Sequence, residues 1–299
     1  MNIYDIAKLA NVSIATVSRV VNNSPKVSPK TKEKVLAVMK ENEYTPNAFA
    51  RGLGLGSMKT VGIICPNIDD IYMAKAVSYL EQNLHAHGYD CILGCSGFKQ
   101  EEKEDYVRLL LSKKIDTLIL VGSTYAGNGK DESDTDYIRE AAEQVSIFMI
   151  NAKVSGDNIY CTYADDFQAT YEVTKAFIRR GKEKILFMYD SESYSARQKM
   201  AGYEAALQDA GYPIRGNLKF KTKNDIEYTR DMLLEYNRTL DFDSVLATED
   251  GIAIGAVKYA KIKGLAIPEE LAVVGYNNSI LAISSDPELT SVDSKLGVM

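Results

Sequence analysis

The chain has 299 residues, 45% of them apolar and 25% charged, the make-up of an ordinary globular protein of about two domains. No apolar run approaches the ~20 residues of a membrane span, and no basic leader precedes an apolar stretch at the start, so no membrane is expected. Four cysteines and two histidines are too few for a disulfide scaffold and leave little for a His-based metal site or a Ser-His-Asp triad. The expectation from these counts is a cytoplasmic protein, and they argue against a metal site and against the common metallo- and hydrolytic enzymes.

The net charge of -6 is unevenly divided: residues 1–59 carry nine Lys/Arg against four Asp/Glu, a balance of +5, and the remainder balances at -11. A basic head on an acidic body points to a polyanionic partner for the head. Ile3, Ile6, Ala7, Leu9 and Ala10 fall at helical spacing, Asn11-Val12-Ser13 breaks the pattern, and Ser13 suits the N-cap of a second helix. Val17, Val20 and Val21 give that helix one apolar face, while Ile14, Ala15, Ser18, Arg19 and Asn22 lie opposite. Ser28 and Pro29 then open a third helix with Val35, Leu36, Val38 and Met39 inward. Two short helices joined by a three-residue turn, with a polar and cationic face outward, form a helix-turn-helix. Exposed Ile14 and Ala15 suit thymine methyls in a major groove, and Arg19 suits guanine O6 and N7. Tyr4, Ser13, Thr16, Ser18 and Asn22 are of the type that contacts phosphates and fixes register. A helical protein-docking module is the other reading of this face.

Ile3-Tyr4-Asp5-Ile6-Ala7, residues 12–22, Val27-Ser28 and residues 43–53 together resemble the head of the lactose-repressor (LacI/GalR) family of bacterial regulators. The Ile14-Ala15-Arg19 set is similar to the catabolite control protein branch. The resemblance implies that Ile14, Ala15 and Arg19 read bases, and it adds Tyr44, Asn47, Ala50 and Leu53 to the DNA-facing set. It also implies a hinge over residues 46–59, where paired helices of a homodimer enter the minor groove and Leu53 wedges between base pairs. Thr45 and Pro46 open a helix of about two turns that ends in Gly52-Leu53-Gly54-Leu55-Gly56. A helix shorter than ~12 residues is marginal alone, so this one should order only on docking. A plain Gly-rich linker is the alternative.

From Thr60 the sequence alternates short apolar runs and helical stretches. Strands are predicted at 61–65, 91–94, 117–121 and 147–150, then at 184–189, 218–221, 244–247 and 272–276. Helices are predicted near 72–87, 100–113, 134–144, 166–180, 195–210, 226–239 and 251–263. Two successive βα series make two doubly wound parallel-sheet lobes, with the ligand beyond the strand ends and between them. The fold class is therefore a small all-α helix-turn-helix head plus an α/β periplasmic-binding-protein-like core. The expected division is 1–45 for the head, 46–59 for the hinge and 60–299 for the effector-binding and dimerisation domain. Within the last, the lobes meet near residue 160, and the second runs to about 290.

The strand ends nominate Asp69, Asp70, Tyr72, Met73, Ser123, Asn151, Arg197, Glu249, Asp250 and Asn277 as effector ligands. Ser195-Ala196-Arg197 resembles the family segment whose arginine grips a sugar hydroxyl or carboxylate. Where many relatives carry an aromatic, a smaller polar residue and Asp, this chain has Met73, Glu249 and Asn277. Carboxylates around the cleft favour a neutral sugar over an anion. Residues 289–293 match the family's return to the first lobe, and relatives are expected to run some tens of residues beyond Met299, so that sheet edges are left unpaired here. Residues 124–131 only faintly approach a phosphate-binding loop and read as a polar surface loop.

The resulting expectation is a homodimeric regulator that binds double-stranded DNA at a palindromic operator and represses carbohydrate genes under control of a small sugar. The alternative keeps the head and uses a phosphorylated carrier protein as co-repressor. A sugar-processing or nucleotide-using enzyme with a helical appendage is the outlying reading.

Overall fold

The computed structural model describes residues 1–45, 57–129, 131–236 and 239–299. Asn47, Ala50 and Leu53, expected to face DNA, lie outside the described residues.

The head is three helices, α1 (Ile3–Leu9), α2 (Ile14–Val21) and α3 (Pro29–Glu41). Each starts at a side-chain cap: Asn2, with Asp5 returning the bond in a capping box, then Ser13 and Ser28. Asn11 takes a positive φ of 48° in the turn between α1 and α2, where an Asn is tolerated better than most residues. Ile6, Ala7, Ala10, Val17, Val20, Val35 and Met39 fill the core, with Tyr44 packed against it.

The first lobe runs β1 (Thr60–Cys65), α4 (Ile71–Ala86), β2 (Asp90–Cys95), α5 (Gln100–Ser112), β3 (Thr117–Val121), α6 (Asp136–Ala142), β4 (Ser146–Ile150) and β5 (Ile159–Thr162). The second runs α7 (Asp166–Arg179), β6 (Ile185–Tyr189), α8 (Tyr194–Asp209), β7 (Lys219–Lys221), α9 (Ile226–Tyr236), β8 (Ser244–Ala247), α10 (Asp250–Lys263), β9 (Ala272–Tyr276), α11 (Ile280–Ser284) and β10 (Thr290–Val292). Both sheets are wholly parallel, ordered β2-β1-β3-β4-β5 and β7-β6-β8-β9-β10, so the second repeats the winding of the first. Helices cover both faces, which is why runs such as 117–121 and 272–276 are apolar throughout rather than alternating. At the α7–α8 crossing, Gly202 is required by space: a Cβ there would land on the Phe167 carbonyl and Thr170 Oγ1.

Two expectations change. β5, unmarked by any apolar run, extends the first sheet to Thr162, past residue 160. Residues 289–293 do not yet return to the first lobe. Thr290–Val292 pairs with Val274–Tyr276 on the second sheet, and the chain reaches the first lobe further on, where Leu296 and Met299 pack against its core. Among the described residues no helix is long and apolar enough to cross a membrane.

Candidate functional site

In the head, part of the set nominated from sequence lies on one exposed face. Ile14 is 41% exposed at the first position of α2, and Ala15 and Arg19 are exposed beside it, opposite buried Val17 and Val20. Tyr4 stands out from α1 at 67% exposure. The Ser13 hydroxyl accepts from the Thr16 N–H at 3.1 Å and shares a hydrogen bond with Thr16 Oγ1 at 2.9 Å, which stiffens the leading edge of the helix. Ser18 is half-buried. Asn22 Oδ1 is buried without a hydrogen-bond partner among the described residues, and Tyr44 belongs to the head's packing rather than its open face.

In sheets of this winding, the first strand of each lobe sits between its two successors, and the loops leaving these strands part in opposite directions. The resulting crevices face each other. The β1 and β3 ends supply Asn67, Asp70, Tyr72, Met73 and Ser123-Thr124, and the β6 and β8 ends supply Asp190-Ser191 and Thr248-Glu249. Together they enclose an inner cavity of about 90 Å³, continuous with an outer pocket of about 530 Å³ through shared Asp70, Tyr72, Asp190, Glu249 and Asn277.

Of the residues nominated from sequence, Tyr72, Met73, Ser123, Asn151, Glu249 and Asn277 line the inner cavity, while Asp69 and Asp250 line only the outer pocket. Asp250 is committed to structure: its carboxylate accepts from the Ser279 N–H at 2.7 Å and from the Ser291 hydroxyl at 2.6 Å. Arg197 does not line the cavity. Its guanidinium crosses from α8 to donate to the Asn128 carbonyl of the first lobe and lies against Gly129. The cause is helical phase. Ser195 and Lys199 share the buried face of α8 at i and i+4, which turns residue 197 toward the rim.

That spacing also reveals what the sequence reading missed. Lys199 is 3% exposed; its ammonium donates to the Thr248 carbonyl at 3.0 Å and sits 3.7 Å from the centre of the Tyr276 ring. Burial pushes the carboxyls of Asp190 and Glu249 up from their ordinary values, against the pull of Lys199, and the mutual repulsion of Asp70, Asp190 and Glu249 adds to the rise. Asn277 donates to Glu249 at 2.6 Å, and the Tyr276 hydroxyl donates to buried Asp166 at 2.6 Å. Phe98, 64% exposed after β2, borders both cavities. No apolar period marks it, because it is in a loop.

Two further links join the lobes: Ser123 to Ser193, hydroxyl to hydroxyl at 2.9 Å, and the Asn224 amide to Asp70 at 3.4 Å. The cleft described here is thus a closed one.

A basic helix-turn-helix joined to two doubly wound lobes with a cleft between them defines a DNA-binding transcription regulator with a periplasmic-binding-protein-like body. Residues 2–47 match the family described as bacterial regulatory proteins, lacI family, and residues 58–297 match periplasmic binding proteins and sugar binding domain of LacI family. The chain belongs to the LacI family and is a regulator, not an enzyme. It is 48% identical over 295 residues to an HTH-type transcriptional regulator of Lachnoclostridium phytofermentans, covering 98% of this chain and 88% of that one. It is 31% identical over 300 residues to catabolite control protein A of Priestia megaterium, covering 98% and 87%. In fold it resembles the Lac repressor dimer bound to operator and the anti-inducer ONPF, with a TM-score of 0.88 at 23% identity over 100% of this chain and 88% of that one.

Proposed function

We propose that the protein is a homodimeric, cytoplasmic repressor of carbohydrate-utilisation genes whose operator affinity is set by a small polyhydroxylated effector held between the lobes. Residues 1–45 would read a palindromic operator, with Ile14, Ala15 and Arg19 on bases and Tyr4, Ser13, Thr16, Ser18 and Asn22 on the backbone. Residues 46–59 would form the hinge carrying Asn47, Ala50 and Leu53, and 60–299 the sensing and dimerising body. The observation that carries the effector reading is the inner cavity. Ser195 Oγ and Thr248 Oγ1 are buried there without a partner among the described residues, and burying a hydroxyl unpaired is costly unless something else completes it. Exposed Phe98 at the mouth offers a face on which a sugar ring can lie.

The test is affinity for a short palindromic operator at fixed salt, alone and with a panel of sugars. A sugar that weakens binding makes the protein an inducible repressor, and one that strengthens it makes the sugar a co-repressor. The likeness to catabolite control protein A along 98% of the chain favours a second reading, in which a phosphorylated carrier protein acts as co-repressor. That reading takes over if no sugar moves operator affinity and the phosphorylated carrier does.

A further inference from the structure

The outer pocket is lined by seven Asp and Glu side chains and by no Lys, Arg or His. Glu227 has a cation, Arg230, at 3.7 Å; Asp70, Asp225, Glu249 and Asp250 accept from neutral donors, which leave their charge standing. The inner cavity adds one cation, Lys199, already engaged by a carbonyl and an aromatic face. An anionic ligand would meet this surplus of negative charge with no free cation among the lining residues. A metal ion is not what the carboxylates await, because among the described residues no three Asp, Glu, His or Cys side chains converge as a metal requires. Independently of the acids, Ser195 and Thr248, 3% and 2% exposed, turn unpartnered hydroxyls to the same cavity, so a ligand with its own hydroxyls is called for.

We propose that the cleft takes a cationic polyol, a sugar bearing a protonated primary amine, with its ammonium held among Asp70, Asp190 and Glu249 and its hydroxyls on Ser195 and Thr248. This rests on reading the cleft as the effector site, and it specifies the ligand's charge. A charge-assisted hydrogen bond is roughly twice as strong as a neutral one, and an ammonium restores the ionised state that burial opposes at Asp190 and Glu249. A plain hexose supplies hydroxyls but adds no positive charge to that of Lys199, which three carboxyls share.

The whole protein is titrated calorimetrically, at neutral pH, with D-glucosamine and D-glucose, D-galactosamine and D-galactose, and D-mannosamine and D-mannose. In at least one pair the amine should bind about tenfold tighter or more. That ratio should narrow in Glu249→Gln and, in the unaltered protein, on raising salt from about 50 to about 300 mM. A hexose that binds as tightly as its amine overturns the cationic ligand and leaves the cleft as a sugar site. If none of the six binds or shifts operator affinity, the sugar-effector reading falls and this inference with it.

Discussion

Arg197 should act as a latch on the closed cleft rather than as a grip on the ligand, and Arg197→Met separates the two. Its guanidinium donates across the lobes to the Asn128 carbonyl, at the rim rather than in the cavity. A hydrogen bond from a charged donor is worth about 1.5–3 kcal/mol when well enclosed. This one is solvent-exposed, so about 1 kcal/mol is the appropriate figure. The bond exists only when the lobes are closed, so losing it weakens every ligand of the closed state by about fivefold, whatever the ligand's chemistry. Had Arg197 held the ligand, removing it would cost about 2–5 kcal/mol, or roughly thirtyfold to several thousandfold, for the ligand it matched and little for others. The assay is calorimetric affinity of wild type and Arg197→Met for two effectors of different charge. A loss above about a hundredfold, or confined to one of them, refutes the latch.

Arg19→Ala should cost about 1–3 kcal/mol of operator affinity and relax preference at one base position, read by competition among operator variants. Raising salt from about 50 to about 200 mM should weaken operator binding by about 10³–10⁵, as for a head with 6–10 phosphate contacts; a flat response would deny the head its polyanion. Gly202→Ala should destabilise the body by about 1–3 kcal/mol, since α7 cannot yield its backbone, and a Tm unchanged in scanning calorimetry would refute this. Burial raises the Glu249 carboxyl well above its ordinary value of 4.5, so the folded state holds that proton more tightly than the unfolded one. Its contribution to stability is therefore whole below that value and lost as pH rises through the raised one. Ligand-free Glu249→Gln should melt above wild type at neutral pH, with the gap closing toward pH 4.5.

Periodicity made most of the fold legible. Strands such as Thr117–Val121 and Ala272–Tyr276 are short apolar runs because both faces are covered, and a run bounded by turn residues can be read without its neighbours. β5 and β10 escaped because each lies at the edge of a sheet, where Tyr160 and Thr290 meet solvent and no apolar run need form. In the cleft, the strand-end rule found Ser123 and Glu249 but passed over Asp190, which follows β6 in the same way. It misassigned the facing of α8: a polar residue near a helix start can point into the cleft or along its rim, and only the i, i+4 pairing of Ser195 with Lys199 decides which. Phe98 was out of reach, because nothing local distinguishes an exposed loop aromatic that borders a cavity from any other.

In the proposed regulator, how closure would reach the head depends on where the chain entering the body is fastened. Asp116, just before β3, receives the Ser57 hydroxyl at 2.9 Å, the Met58 N–H at 3.0 Å and the Thr60 N–H at 3.1 Å. Among the described residues, Ser57, Met58 and Thr60 are thus clamped by one carboxylate to the first lobe. If an effector swings the second lobe, this anchor stays with the first, and a signal to the head would then pass through the first lobe and its contacts in a dimer. The clamp is then the rigid step in the chain of coupling, and coupling between effector and operator is typically about 1–3 kcal/mol and reciprocal. Asp116→Ala removes all three bonds without touching the cleft or the DNA-reading face. It should leave effector affinity in DNA-free protein unchanged while erasing most of the factor by which effector alters operator affinity. If that factor survives intact, the signal travels by another route than this anchor.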